Sequence, residues 1–159
     1  MVRSTAPAVT RCVSLPSSSD KTSICAEARA VIDAEVLAVT ALSQQLGEAF
    51  ERAVDGILRC KGRLVVTGMG KSGLVGQKIS ATLASTGTPS LFLHAAEAVH
   101  GDMGRITGAD IVLALSNSGE SEEIVRLIRP VRASGAALYA MTGDPHSNLA
   151  SCGRSVVYW

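Results

Sequence analysis

The chain lacks a concentrated patch of positive charge, a long apolar run, paired cysteines and any acid before Asp20. Each absence removes a class of function. A formal net charge of +1 with dispersed Lys and Arg argues against nucleic acid, whose backbone demands a dense basic footprint. No apolar stretch approaches the roughly 20 residues of a membrane-spanning helix. The four cysteines, Cys12, Cys25, Cys60 and Cys152, form no CxxC pair, so they read as bystanders in a reduced, cytoplasmic setting. The stretch from Met1 to Ser19 carries Arg3, Arg11, hydroxyl residues and two prolines. It reads as part of a disordered leader over 1–22; an organelle transit peptide has a similar composition, and no secretory apolar core is present.

With 159 residues, 47% of them hydrophobic, the remainder suits one globular domain over 23–159. Apolar positions Ile24, Ala28, Val31, Ile32, Val39, Leu42 and Leu46 follow helical spacing, and Phe50, Val54, Ile57 and Leu58 resume it after Gly47. Two helices, or one broken helix, are expected, the second ending at Cys60-Lys61 with Gly62 as its C-terminal cap.

From there the pattern alternates. Strands are expected at Leu64–Thr67, Ser90–Leu93, Ile111–Leu115, Ala137–Met141 and Val156–Trp159. Helices are expected between them at Ser72–Ser85, Ala96–His100, Glu120–Ala133 and His146–Ala150. Units of this length build an α/β three-layer, doubly wound sandwich around a five-stranded parallel sheet. Because the sequence stops on Tyr158-Trp159, inside an expected strand, further helices are expected to follow.

Two turns carry the chemistry. Gly68-Met69-Gly70-Lys71-Ser72-Gly73 matches the dinucleotide fingerprint GxGxxG, but no Asp or Glu lies between Gly73 and Glu97 to hold a ribose. A nucleotide P-loop would need glycine where Val65 stands. Lys71 suits a single phosphate or a carbonyl, while the alternative is that the glycines serve close strand-to-helix packing alone. The second turn, Ser116-Asn117-Ser118-Gly119-Glu120-Ser121, sets hydroxyls and an amide between an apolar strand and a helix start, where free amides attract anions. In a doubly wound sheet these turns, from the first and third strands, can share one crevice.

Glu120, Glu122 and Glu123 crowd that helix start. Glu122 reads as dipole compensation. Glu120 and Glu123 are expected to share a face, so that one reaches into the crevice past a bound phosphate as a base for proton transfer. The segment His94 to Asp102 also holds Glu97 and His100. A metal is conceivable there, but no ligand pair has i, i+4 spacing; His100 is then either a hydrogen-bonded loop residue or an acid-base group on the crevice rim. His146 reads as part of a turn.

GMGKSG at Gly68 to Gly73, ASTGTPS at Ala84 to Ser90, EAVHGDMG at Glu97 to Gly104 and SNSGESEEI at Ser116 to Ile124 together resemble the sugar isomerase (SIS) domain. More closely, they resemble the KpsF/GutQ family of D-arabinose 5-phosphate isomerases, over about Val31 to Trp159. The resemblance implies interconversion of D-ribulose 5-phosphate and D-arabinose 5-phosphate, which feeds synthesis of the lipopolysaccharide sugar Kdo. It implies no redox or nucleotide cofactor, and a homo-oligomer, commonly a tetramer. By position it implies a substrate-binding set of Gly70, Ser72, Ser116, Asn117, Ser118 and Ser121, with Lys71, Glu123 and His100 as the catalytic group. It requires no metal, although His100 matches a histidine that can take up inhibitory zinc. Ala95 and Ala96 depart from the Pro-Gly that is usual there. The family also has a further glutamate and histidine downstream, then usually a pair of CBS domains.

The activity so implied is aldose-ketose isomerisation through an enediol. The alternatives are a non-catalytic phosphosugar-binding domain, as in transcription regulators of the same fold, and an inactive fragment. Such regulators carry a helix-turn-helix ahead of the domain, and the leader is too short and too weakly basic for one.

Overall fold

The computed structural model describes residues 21–158, and side chains for 24–154. The expected leader falls largely outside them. The described residues fall into two units, one ending at Ala41 and one beginning at Leu42. α1 (Lys21–Ser43) belongs almost wholly to the first. Its Ile24, Val31, Ile32, Val36, Leu37 and Val39 are exposed, so none of these side chains ties the helix into a core.

The second unit opens with α2 (Glu48–Leu58), for which Gly47 is the N-cap. The strands β1 (Leu64–Gly68), β2 (Ser90–Phe92), β3 (Ile111–Leu115), β4 (Ala137–Thr142) and β5 (Ser155–Tyr158) then alternate with α3 (Gly70–Ser85), α4 (Ala95–Val99), α5 (Glu122–Ala133) and α6 (Asn148–Cys152). All strand pairs are parallel, in the order β2-β1-β3-β4-β5. This is the expected five-stranded doubly wound sheet; Trp159, at the end of the last expected strand, lies outside the described residues.

Alternation along the strands separates two cores. Leu64, Val66, Ile111, Leu115 and Tyr139 face α2 and α3, packing with Ala53, Ile57, Ile79 and Leu83. Val65, Val112, Ala114, Leu138 and Ala140 face the other layer, with Ala95 and Ala98 of α4, Ile124, Leu127 and Val131 of α5, and Leu149 of α6. Both faces of the central strands are therefore covered, which is why β1 and β3 read as continuous apolar runs.

Several boundaries differ from expectation for local reasons. α2 ends at Leu58 with Arg59 as its C-cap; Arg59 N–H donates to Asp55 O and Cys60 N–H to Ile57 O, so Gly62 does not cap it. Gly62 is required instead by a close approach: a Cβ there would stand 2.4 Å from Asp110 Oδ1 and 2.6 Å from Ala109 O. α5 starts at Glu122 rather than Glu120, because Gly119 turns the chain at φ +65° and Ser121 holds the N-cap position. α6 starts at Asn148 because the Ser147 hydroxyl accepts from Ala150 N–H. His146 lies in the turn before it, its N–H donating to Asp144 Oδ1 at 2.8 Å. A 3-10 turn at Asp102–Arg105, which the sequence pattern did not disclose, follows α4.

At the amino edge of the sheet one carboxylate joins β1 to β3. Asp110, 3% exposed, accepts from Arg63 N at 2.7 Å, Thr107 N at 2.8 Å and Thr107 Oγ1 at 2.9 Å, with Arg63 Nε 3.8 Å away. Burial alone raises the pKa of this carboxyl; the hydrogen bonds and the Arg63 charge outweigh that and hold it below its ordinary value. The depressed folded pKa makes Asp110 stabilising above the unfolded aspartate value, near 3.9, and that stabilisation is lost as pH falls through the lowered value. Asp110→Ala is expected to destabilise the protein by about 2 kcal/mol, since it strands two part-buried amides. Denaturant unfolding at pH 7 measures the loss, and the acid limb of the stability profile should flatten in the variant.

Candidate functional site

The order β2-β1-β3 reverses the winding direction between β1 and β3, which pair from Leu64–Ile111 through Gly68–Leu115. Beyond the carboxyl ends of these strands the chain leaves β1 into α3 and β3 into α5, on opposite faces of the sheet. A crevice opens there as a geometric consequence.

The α3 side begins tightly. A Cβ at Gly68 would stand 3.0 Å from Gly73 N, and one at Gly73 would stand 3.0 Å from Gly68 O, so these glycines let strand and helix approach, as the packing alternative holds. Gly70 differs: it adopts φ +51° with open space around its Cα, as the first residue of α3. The N-cap, Met69, offers no side-chain acceptor, which leaves the first amides of the helix uncapped. A cavity of about 360 Å³ lies beside this terminus, lined by Lys71, Ser72, Val75, Ile79, Leu115, Asn117 and Met141. Lys71 and Ser72 from the first turn thus meet Asn117 from the second. Lys71 is exposed and forms no ion pair among the described residues.

The β3–α5 loop is a network of its own. Ser116, 2% exposed, sits 3.0 Å Oγ to Oγ from Ser121 and accepts from Gly119 N–H at 3.1 Å. Ser118 Oγ accepts from Glu120 N–H at 3.2 Å. Ser121 occupies the α5 N-cap position without capping the helix by its side chain, so this terminus too keeps free amides. The following crossover braces the loop: Gly143 N–H and Thr142 Oγ1 donate to Asn117 O at 2.9 and 3.2 Å, and Leu149 N–H donates to Gly119 O at 3.2 Å.

The acids separate by partner. Glu122 pairs with Arg126 on its own helix. Glu120 is outside α5, so it shares no helix face with Glu123; its oxygens accept from Asn148 N at 2.6 Å and Asn148 Nδ2 at 2.7 Å. Glu123 is half-buried in the first turn of α5 and makes no hydrogen bond or ion pair among the described residues. His100, exposed, is the C-cap of α4. No hydrogen bond joins Lys71, Glu123 and His100 to one another among the described residues. His94, the residue before the Ala95-Ala96 departure, is the α4 N-cap, with its ring edge-on to Phe92 at 6.4 Å.

Two groups at this edge lack partners, which the sequence did not disclose. Thr67 Oγ1 and His94 Nδ1 are buried without a hydrogen-bond partner, and Thr67 is 1% exposed. A threonine in an apolar strand gives no warning of this, because its burial depends on the layer above it. Among the described residues no group of three or more His, Cys, Asp or Glu is placed to hold a metal ion.

The SIS domain model matches residues 57–158, which include the sheet and both turns. The chain belongs to the SIS domain family. Arabinose 5-phosphate isomerase KdsD of Pseudomonas aeruginosa is 56% identical over 123 residues, covering 77% of this chain and 38% of that protein. Arabinose 5-phosphate isomerase GutQ of Escherichia coli K12 is 46% identical over 123 residues, with the same two shares. The chain thus spans about two fifths of the length of these curated relatives. Among solved structures, the SIS fold seen here superposes on Escherichia coli CFT073 c3406 in complex with arabinose 5-phosphate with a TM-score of 0.83. The identity is 36%, covering 87% of this chain and 73% of that one.

Gly119 tests the SIS loop most simply. At φ +65° a side chain is strained, and its Cβ would stand 2.1 Å from Ser147 Oγ. Gly119→Ala is expected to cost more than about 1 kcal/mol, measured by thermal unfolding.

Proposed function

We propose that the chain binds a sugar phosphate at the carboxyl edge of β1 and β3 and, within its complete protein, interconverts D-ribulose 5-phosphate and D-arabinose 5-phosphate. The observation that carries the reading is the meeting of Lys71 and Ser72 with Asn117 around one cavity, beside two uncapped helix starts. Its support from relatives is the identity to KdsD and GutQ.

In this reading Ser116, Ser118, Ser121, Asn117, Gly70 and Ser72 hold the ester oxygens through hydroxyls and amides. The ammonium of Lys71 faces the carbonyl carbon end, where it stabilises the enediolate oxygen as negative charge develops. Glu123, with no competing partner, moves the proton between the two carbons. His100 lies on the rim as an acid-base group for ring opening. No redox or nucleotide cofactor enters, and any metal at His100 is inhibitory. The protein works in the cytoplasm as a homotetramer, without nucleic acid or membrane as partner; no helix among the described residues is long and apolar enough to cross a membrane. The leader and the 23–159 domain remain the proposed layout, with α1 as an oligomer contact.

Incubation with ribulose 5-phosphate in deuterated water is expected to give arabinose 5-phosphate and deuterium at the exchanged carbon, read by NMR. Lys71→Ala and Glu123→Gln should each lower kcat by about 100-fold or more, with sugar-phosphate binding kept. Binding without exchange in the complete protein would assign it to the non-catalytic phosphosugar-binding class instead. Absence of both would overturn the proposal.

A further inference from the structure

The phosphate loop contains a carboxylate that the proposed chemistry does not use. Glu120 stands between Ser118 and Ser121 in sequence, just before the uncapped start of α5. A loose carboxylate at that place competes with an anionic ester for the same amides, and repels it. Glu122 is neutralised by Arg126, but Glu120 forms no ion pair among the described residues. Both its oxygens go to one neutral residue of the next crossover: Asn148 donates its backbone N–H at 2.6 Å and its Nδ2 at 2.7 Å. The partners are 28 positions apart, so the sheet, rather than helix spacing, brings them together.

We propose that Asn148 is a positioning residue whose two-point grip keeps the Glu120 charge at the amino end of α6 and away from the Ser116–Ser121 hydroxyls, so that the loop accepts a phosphate dianion. The inference rests on the phosphate reading of that loop. A side-chain amide suits the task because, with the backbone N–H already on Oε1, it satisfies Oε2 without adding a positive charge that would itself compete for the phosphate. Hydrogen bonds from Gly143 and Leu149 already hold the loop backbone, so the grip has a role separable from stiffness.

Calorimetric titration of the chain with inorganic phosphate and with arabinose 5-phosphate, at low and high salt, separates charge from mechanics. Asn148→Ala is expected to weaken both ligands about tenfold at low salt, with the loss shrinking at high salt. Glu120→Ala/Asn148→Ala, in which no charge is left to stray, is expected to recover most of the affinity. A double variant as weak as Asn148→Ala, or a loss insensitive to salt, overturns the inference in favour of simple stiffening. If Asn148→Ala fails to fold, Asn148→Asp is read in its place; combining it with Glu120→Gln exchanges donor and acceptor across the pair, and is expected to restore binding. Failure of that exchange to restore it also overturns the inference. Wild-type protein that binds neither ligand overturns the phosphate reading itself, and the inference with it; wild-type binding with unaffected variants overturns the inference alone.

Discussion

Main-chain pairing of β1 with β3 is the constraint on which the rest depends. These strands are neighbours in the sheet but not in the chain, so the helices that leave them must go to opposite faces. Two helix starts then diverge over one edge, and neither is capped by a side chain. Unpaired amides at such an edge favour an anion before any side chain is considered. Asp110 secures the same pairing from the amino edge by bonding the chain just before β1 and just before β3. The anion-ready edge and the buried carboxylate are thus two ends of one sheet contact.

Electrostatics at the α5 start is, in the proposed reading, a problem of three acids and one bound anion. Helix-dipole compensation favours each acid by only about 0.3 to 1 kcal/mol, whereas unit charges a few ångströms apart near a protein surface interact by several kcal/mol. Repulsion of a bound dianion would therefore prevail if all three were loose. Arg126 takes Glu122, and Asn148 takes Glu120. Glu123 is left alone, and the proposed proton transfer requires one unencumbered carboxylate.

Strands were legible because burial on both faces demands continuous apolar residues, as in the short, β-branched run Ile111 to Leu115. The glycine turns were legible as turns, and the match of the SIS domain model supports the family resemblance that their motifs carried. What escaped depended on partners far along the chain. Gly62 after a helix looks like a cap, yet Asp110 and Ala109 decide it. Glu120 looks like the first turn of α5 until Asn148 and the Gly119 turn draw it out of the helix. Asp110 itself carries no pattern, since a polar residue before a strand is commonplace. α1 shows the opposite limit: its helical period was plain, but periodicity alone does not say which core, if any, receives it.

The most direct measurement is a crystal structure of the protein soaked with arabinose 5-phosphate. The account predicts phosphate oxygens within hydrogen-bonding distance of Ser116, Ser118 or Ser121, with the Lys71 ammonium turned toward the carbonyl end of the same sugar. A sugar phosphate seated elsewhere while this edge stays empty, or Lys71 turned away from a bound one, would contradict it.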